Sequence, residues 1–319
     1  MRFAITLLLT AFAAVSVSAQ APTLRIVTEI PNLPSELYYG NIKVKPLRLR
    51  PGTNTPITIK DADFFVNQQY VDFLNRFPDQ SGFEFWTKTI ENCGSDAACI
   101  EHNRINTSGA FFLSIEFKET GFLVERLYKS SYGEVERDST IGGAHKLKVP
   151  IVRRSEFLPD MMEIGKGVVV LQPGWEQVLA TNKQLFLNAF VQRPRFVAAY
   201  PGTMTAEEFV RKLNTNAGNV LSESDIAHLA TELSAGRMTR AQVLGAVAED
   251  PDLYLAESNK AFVLMQYLGY LRRDPDTGPD SDYSGYDFWL RKLNAFGGDF
   301  HTAEMVKAFL TSSEYLNRF

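Results

Sequence analysis

The stretch that decides the fold is residues 69–86, which read QYVDFLNRFPDQSGFEFW. Residues 266–289 repeat this stretch as QYLGYLRRDPDTGPDSDYSGYDFW, with Gln-Tyr, aromatic-Leu, an arginine, Pro-Asp, Ser-Gly and aromatic-Trp in the same order. Self-similarity of this kind within one chain is the sequence signature of a repeat architecture. We therefore expect two copies of one structural unit.

A second motif follows each tryptophan and recurs in the middle of the chain. It consists of an Ala-Phe or Ala-Val pair and a further apolar residue six positions after the second member of the pair. The four instances are Ala110-Phe111 with Phe117, Ala189-Phe190 with Phe196, Ala246-Val247 with Leu253, and Ala308-Phe309 with Tyr315. We interpret each as the end of a helical unit.

Helical periodicity begins near residue 63, where apolar residues recur at three- and four-residue steps along one helix face. Three later sites have capping-box or near-capping-box spacing, which marks helix starts. They are Thr205 with Glu208, Ser222 with Asp225, and Thr239 with Gln242. The predicted helices cover residues 64–76, 82–92, 102–115, 119–132, 179–191, 205–216, 223–235, 239–248, 256–272, 284–296 and 302–312.

The fold class predicted by these patterns is mainly α, made of repeated helical units. Short β-branched runs between prolines favour an extended or β segment at residues 20–62. Glycines and two isolated apolar clusters indicate an irregular linker at 136–178, with short strands and one helical turn. The expected organisation adds a first helical repeat domain at 63–135 and a second at 179–319.

The first 19 residues have the features of a secretory signal peptide. Arg2 supplies a positive start, an apolar run extends to Val17, and Val17-Ser18-Ala19 offers small side chains to signal peptidase. The run is too short to span a bilayer once this cleavage site is counted, and charge interrupts every later apolar run. We expect an exported protein without a transmembrane segment, either secreted, periplasmic or on the cell surface.

Charge and cysteine content narrow the classes of partner. The chain has 33 basic and 37 acidic residues, a net charge of −4, and no basic run that would attract nucleic acid. Its two cysteines, Cys93 and Cys99, predict a small disulfide in a loop between two helices of an exported protein. Their spacing is not Cys-x-x-Cys, which argues against a redox or metal pair.

The repeated aromatic residues are predicted to fill the core between the helices of each unit, where a large ring buries the most surface. The alternative is a stacking platform for sugars or peptides, which requires Trp86 or Trp289 at the surface. The residues concerned are Tyr70, Trp86, Phe111, Phe117, Tyr267, Trp289, Phe309 and Tyr315.

Acidic residues lie in the turns that follow Arg76 and Arg273. We expect each arginine to pair with Asp79 or Asp276, or with carbonyls at a helix end. The second turn is longer, and its carboxylates suit calcium, a hard cation with oxygen ligands. The alternative is a solvated turn before Ser284, because no glutamate closes a calcium-binding helix-loop-helix pattern and prolines stiffen the loop. The candidate calcium ligands are Asp274, Asp276, Asp280 and Asp282.

A search for catalytic motifs is negative, so we expect a protein that is not an enzyme. The chain has no Gly-x-Ser-x-Gly elbow, no phosphate-cradling glycine loop and no cysteine nucleophile with a base. None of its histidines has a metal-ligand spacing. They are His102, His145, His228 and His301. Paired carboxylates brought together only by the fold would escape this search.

The repeated motif resembles the bacterial domain of unknown function 4214. The resemblance rests on Tyr-x-x-Phe-Leu-x-Arg, then Pro-Asp, Ser-Gly, aromatic-Trp, Ala-Phe and a closing aromatic; it covers residues 63–132 and 256–319 and is weaker at 179–254. That domain occurs in secreted and surface-layer proteins and is similar to the helical phycobilisome linker domain. The first copy differs from the pattern by its cysteine loop, the last by extra residues after Pro275, and the middle units by the missing tryptophan. The resemblance implies a helical fold and an extracellular setting, but no reaction.

Together these observations lead to the hypothesis of an exported, non-enzymatic scaffold, adhesion or interaction module. Its partner would be an extracellular protein or a glycan, with no cofactor expected apart from the calcium considered above. Two alternatives stay open. One is a secreted hydrolase of unrecognised type with carboxylates in a cleft between repeats, and the other is a carbohydrate-binding module.

Overall fold

The computed structural model describes residues 55–319 and, before them, strands at 24–27, 36–39, 42–44 and 48–49. The chain divides into two compact units, Met1–Leu47 and Arg48–Phe319. In the first unit the described strands β1 (Leu24–Val27), β2 (Glu36–Tyr39) and β3 (Ile42–Val44) form an antiparallel sheet in sequence order. The predicted signal peptide at 1–19 lies outside the described residues.

The second unit is mainly helical, as the periodicity predicts. Its elements are β4 (Arg48–Leu49), β5 (Pro56–Ile57), α1 (Ala62–Gln69), a first π segment (Tyr70–Leu74), α2 (Gln80–Glu91), α3 (Ala97–Leu113), α4 (Ile115–Glu119), α5 (Gly121–Tyr132), β6 (Glu134–Ser139), β7 (His145–Pro150), α6 (Arg154–Gly165), α7 (Trp175–Phe190), α8 (Pro194–Ala199), α9 (Ala206–Ala217), α10 (Glu223–Ser234), α11 (Arg240–Ala248), α12 (Pro251–Met265), a second π segment (Gln266–Leu271), α13 (Ser284–Ala295), α14 (Met305–Thr311) and α15 (Ser313–Leu316).

Local side-chain chemistry sets several helix starts. The hydroxyl groups of Thr205, Ser222 and Thr239 each accept a hydrogen bond from the backbone N–H three residues on, and the acidic or amide side chain at that position bonds back. These three capping boxes are confirmed. They fix the beginnings of α9, α10 and α11 because they satisfy amides that a helix cannot pair internally.

The second repeated motif is a helix-turn-helix corner. In each instance the third residue after the Phe or Val of the pair is the N-cap of the next helix, and the closing apolar residue lies in that helix. The four N-caps are Ser114, Arg193, Asp250 and Ser312, and the closing residues are Phe117, Phe196, Leu253 and Tyr315. All four closing side chains are buried, so each corner is anchored in the core.

The stretch predicted as an irregular linker, 136–178, contains regular structure. It begins within an antiparallel hairpin of β6 and β7, in which Ser139 pairs with His145, and continues into the twelve-residue helix α6. Phe157, Met161 and Ile164 of α6 are buried at helical spacing. The prediction of a single helical turn was wrong because Pro159 lies inside this helix, where proline usually disrupts it.

The two copies of the repeated unit meet at their π segments. The rings of Phe73 and Tyr270 pack edge to face at 5.1 Å, and the Tyr270 hydroxyl donates to Gln69 Oε1 at 3.0 Å. Both segments end at a residue in the left-handed region, Asn75 with φ 52° and Arg272 with φ 56°. Predicted helices 64–76 and 256–272 therefore each change from α to π geometry before they end.

An ion-pair cluster joins the copies at the same place. The fully buried Asp72 carboxylate accepts from Arg272 at 2.7 Å and from Arg318 at 2.9 Å. The position equivalent to Asp72 is Gly269, where an added Cβ would lie 3.3 Å from the Asp72 carbonyl oxygen. Because the copies share this contact and one core, the domains predicted at 63–135 and 179–319 belong to a single compact unit.

Candidate functional site

The first copy of the motif builds an aromatic wall. The Tyr70 ring, on the first π segment, packs edge to face on Phe111 of α3 with centroids 4.6 Å apart. The Trp86 indole, on α2, lies 6.2 Å from the same Phe111 ring and is partly buried. Three consecutive elements thus place their aromatic side chains side by side.

A glycine lets the tyrosine reach its position. An added Cβ at Gly82 would lie 2.1 Å from the Tyr70 hydroxyl oxygen, closer than real Cβ contacts come. Burial, together with the nearby Asp79 carboxylate, raises the pKa of Tyr70 to about 12. The Ser-Gly pair of the motif is therefore explained by close approach of the tyrosine, and Tyr70 stays protonated at neutral pH.

Arg76 lies beside the tyrosine, 5.0 Å over its ring. Its guanidinium donates to both carboxylate oxygens of Glu116, at 2.6 and 2.7 Å, in a bidentate pair. Asp79 is more distant, at 3.7 Å, and instead caps α2 by accepting from Gly82 N. The predicted Arg76–Asp79 pair is present, but Glu116 is the principal partner and was not predicted.

These side chains line an open cavity of about 350 Å³. Tyr70, Trp86 and Phe111 supply the aromatic wall, and the charged side chains of Arg76 and Glu116 are also part of the lining. Residues 170–172, from the turn before α7, complete it. Within that turn Leu171 has φ 74° and is 88% exposed, a strained and solvated position for a leucine.

A second cavity of about 590 Å³ adjoins the first, since both are lined by the half-exposed Ile115. Trp175 of α7 lines it, together with the ammonium-bearing Lys183. Lys183 bonds to Glu119 and, at 2.7 Å, to Glu249. Burial alone would lower the pKa of Lys183, but these two bonds outweigh it and raise the pKa above its usual value. We call the two cavities together the Ile115 groove.

The second copy repeats the framework with a different turn. Arg273 pairs with Glu314 at 2.6 Å, as Arg76 does with Glu116, and an added Cβ at Gly285 would lie 2.6 Å from the Tyr267 hydroxyl. The second carboxylate on Arg273 is Asp280, at 2.6 Å, and not Asp276 as predicted. The turn is longer in this copy and folds back, so that Asp280, late in the turn, lies next to Arg273.

The four aspartates proposed as calcium ligands are not gathered into a cation site. Arg153 lies 3.2 Å from Asp274 and 2.7 Å from Asp276, while Asp280 pairs with Arg273 and Asp282 accepts from Ser284 N. Residues 55–319 contain no group of three acidic, histidine or cysteine side chains placed to hold a metal ion. These contacts favour the solvated turn over the calcium site, because arginines lie on Asp274, Asp276 and Asp280 and would repel a second cation there.

The eight aromatic residues of the motifs lie in or against the core. Six are buried, and Trp86 and Trp289 are partly buried and pack on Phe111 and Phe309. The buried ones are Tyr70, Phe111, Phe117, Tyr267, Phe309 and Tyr315. In each aromatic-Trp pair it is the phenylalanine that faces solvent, Phe85 with 61% and Phe288 with 44% of its surface exposed.

Cys93 and Cys99 are at bonding distance, with their Cα atoms 5.5 Å apart. Cys93 follows the end of α2, whereas Cys99 lies in the first turn of α3, capped by Asp96. The predicted pairing is present. The expectation that both cysteines lie in the loop is wrong for Cys99, because the Asp96 carboxylate starts the helix before it.

One Ser, His and Asp cluster is present but lacks the geometry of a nucleophilic triad. The Ser139 hydroxyl donates to Asp287 Oδ2 at 2.6 Å, and His145 Nε2 lies 3.1 Å from the same oxygen. A triad needs the hydroxyl bonded to the imidazole, with the carboxylate on its far side. Ser139 is also buried, so the cluster joins the hairpin to α13.

The carboxylate with the most strongly raised pKa lies deep in the core. Burial, followed by the charge of Glu257, raises the pKa of Glu125 well above its ordinary value. Neither Glu125 oxygen has a hydrogen-bond partner among the described residues, while Lys129 and Lys260 lie 3.6 and 3.0 Å from Glu257. With exposures of 2% and 1%, the two glutamates are out of reach of a substrate.

Two of the four histidines come together in the fold. The rings of His102 and His301 stack with centroids 5.2 Å apart, and His301 bonds to Asn106 Oδ1 at 2.5 Å. Burial, and then the nearby His102, lower the pKa of His301. This pair connects α3 to the segment before α14 and gathers no third ligand.

Within the described part of the chain no helix is long and apolar enough to cross a membrane. Compared with protein-family models, curated protein sequences and solved structures, the chain has no match in any of the three.

Proposed function

We propose that this chain is an exported, non-enzymatic interaction protein in which two helical units of the 4214 type form one body and present the Ile115 groove to a protein partner. The observation that carries the proposal is the groove itself. It is open, largely apolar and built from motif residues of the first copy, features that recur in ligand and partner sites.

Apolar side chains left exposed along the groove support a binding role. Leu171 is 88% exposed on one cavity, and Ile115, 51% exposed, lies between the two. Exposed apolar side chains grouped at a concavity are typical of interaction sites. Arg76 and Lys183 of the groove are engaged in ion pairs with Glu116, Glu119 and Glu249, and no side chain there is arranged with a partner as a nucleophile and its base.

Support for repeat membership comes from equivalent contacts in the two copies. The tyrosine over a glycine, the arginine with a glutamate and the tryptophan on a phenylalanine each occur twice. Support for export comes from the signal-like residues 1–19 and from the cysteine pair at bonding distance, which suits an oxidising compartment.

The test is selection of random twelve-residue peptides on the purified mature protein, repeated on Leu171→Ser and Ile115→Ser. We expect peptides that bind the wild type and lose affinity for both variants. Leu185→Ser, at a 62% exposed position outside the groove, is the matched control. No enriched peptide, or peptides indifferent to both groove variants, would contradict the proposal.

The same purified protein can be used to test the two alternatives, a hydrolase and a carbohydrate-binding module. Turnover of a hydrolase substrate that is abolished by Glu116→Gln, in a variant that still folds, would make the protein an enzyme. Binding of a glycan array that depends on Phe85 or Trp86, with no peptide bound, would favour the carbohydrate-binding alternative. Because Trp86 packs against Phe111, Phe85→Ala is the cleaner of the two aromatic variants.

A further inference from the structure

The charges along the Ile115 groove are unbalanced in a regular way. Each cation is held between two carboxylates: Arg76 lies between Glu116 and Asp79, and Lys183 between Glu119 and Glu249. One negative charge is left over in each cluster. The groove therefore has a local acidic character that the whole chain, with a net charge of only −4, does not suggest.

A fifth carboxylate adds to this excess. Glu176 of α7 lines the second cavity, is exposed, and makes no ion pair with the described residues. Five carboxylates against two cations give the groove lining a formal charge of −3. In a concave surface with low-dielectric walls, such an excess attracts cations more strongly than the same charges would on a flat surface.

Apolar side chains separate the two acidic clusters. Ile115 lines both cavities, and the aromatic rings of Trp86 and Trp175 line the first and the second. The turn that contains Leu171 leads directly into Trp175, so one segment of chain contributes to both cavities. A ligand that fills the groove must present apolar groups to these walls and positive charge to the two carboxylate clusters.

We propose that the Ile115 groove binds an extended peptide segment of a partner protein in which apolar side chains alternate with lysine or arginine. This deepens the proposed function and rests on it. In an extended segment successive side chains point to opposite sides, so apolar groups that enter the cavities leave the basic groups on the outer side. From there the long, flexible lysine or arginine side chains reach back to the exposed carboxylates of Glu176 and Glu249. Acidic peptides are excluded by the same charges.

The probe is a fluorescent nine-residue peptide of alternating leucine and lysine with a central proline, titrated into the full mature chain and followed by anisotropy. Two matched peptides replace every lysine by glutamate or every leucine by serine. We expect the basic apolar peptide to bind and each matched peptide to bind at least tenfold more weakly, with affinity for the basic peptide falling as salt screens the charges.

Protein variants locate the site. Leu171→Ser should weaken binding about tenfold, the loss expected for much of one leucine contact. Glu176→Gln combined with Glu249→Gln should weaken it about fivefold at low salt and less at high salt. Glu136→Gln, an exposed glutamate on the hairpin outside the groove, is the control and should leave affinity unchanged.

Three outcomes are distinguishable. Binding that requires both leucines and lysines, and that both groove variants weaken, supports the inference. If the lysine and glutamate peptides bind alike, or if the selected peptides need the groove but are not basic, the inference is overturned while the proposed function stands. If Leu171→Ser and the double glutamine variant bind as the wild type does, the site lies elsewhere and the inference is also overturned.

Discussion

The two copies of the repeated unit share a framework and differ in the turn between the π segment and the next helix. In the first copy the turn is short, and Arg76 has one close carboxylate, Glu116, with Asp79 at 3.7 Å. In the second, the longer turn returns Asp280 to within 2.6 Å of Arg273, which therefore has two close carboxylates.

The comparison separates the contacts that both copies share from the features that only one copy has. The tyrosine, glycine, arginine, glutamate and tryptophan contacts hold each copy together and are kept in both. The first copy also has the cysteine pair, and residues 170–172, from another part of the chain, complete the lining of its cavity. These features are thus added to one copy without altering the shared packing.

The largest expected effect is on the contact that joins the copies. Asp72→Asn leaves Arg272 and Arg318 beside a neutral side chain in the core, which should lower the free energy of unfolding by about 3 to 5 kcal/mol. Urea unfolding at pH 7 measures it. Glu223→Gln, in an exposed pair with Arg211, is the control and should leave the free energy of unfolding nearly unchanged.

The pH dependence of this effect has a defined sign. Burial alone would raise the pKa of Asp72, but Arg318 and Arg272 outweigh it and lower the pKa. The stabilisation is then complete above the unfolded value of about 4 and is lost as pH falls through the lowered folded value. The difference in free energy of unfolding between wild type and Asp72→Asn should therefore become smaller as the pH is lowered. A difference that does not change with pH would contradict this explanation.

The next effect compares the two tyrosine-glycine contacts. Gly82→Ala places a methyl group 2.1 Å from the Tyr70 hydroxyl and should cost about 1 to 3 kcal/mol, whereas Gly285→Ala, at 2.6 Å from Tyr267, should cost less. Thermal unfolding of a double-mutant cycle is the measurement. In a Tyr70→Phe background, Gly82→Ala should become neutral or stabilising, since alanine favours a helix over glycine.

A smaller effect is confined to the first copy. Replacing Cys93 and Cys99 by serine should lower the free energy of unfolding by no more than about 2 kcal/mol, because so short a loop removes little entropy from the unfolded chain. Urea unfolding of the variant and of the oxidised wild type gives the value. A thiol assay on denatured, non-reduced protein should find no reactive cysteine, and a variant that cannot fold would contradict the prediction.

The smallest expected change in stability tests whether Arg76 and Arg273 differ in their number of close carboxylate partners. Glu116→Gln should cost about 1 kcal/mol, since Arg76 keeps only the distant Asp79. Glu314→Gln should cost a few tenths of a kcal/mol, because Asp280 still holds Arg273 and Glu314 is 32% exposed. Equal losses in urea unfolding would show that Asp280 does not act as a second partner.

Much of the fold could be predicted because it depends on patterns among residues that are close together in the sequence. The capping boxes at 205, 222 and 239, the repeated motif and the helical period all describe contacts between neighbours in sequence. The spacing of apolar residues alone does not distinguish a π segment from an α-helix. Helix α6 was missed because its sequence contains Pro159, a residue that usually disrupts a helix. Glu116 and Glu314 could have been found, since each precedes the closing aromatic of its motif.

The groove could not be predicted, because its walls come from distant parts of the chain. Ile115 and Leu171 are separated by more than fifty residues and line one cavity only in the folded chain. The choice between a calcium site and a solvated turn depended on distant residues in the same way. The sequence shows only the spacing of the aspartates within the loop. Two of them, Asp274 and Asp276, form ion pairs with Arg153, which follows the β6–β7 hairpin and is more than a hundred residues away in the chain.

Burial of Glu125, whose carboxyl has no hydrogen-bond partner in the described part of the chain, makes folding of this protein a proton-binding reaction. In the folded state its raised pKa keeps the carboxyl protonated beyond the range of an ordinary glutamate. Unfolding returns the group to water, where its pKa is about 4.3, so a proton is released between that pH and the folded value. The heat absorbed on unfolding will then vary with the ionisation enthalpy of the buffer, and Glu125→Gln will remove that part of the variation.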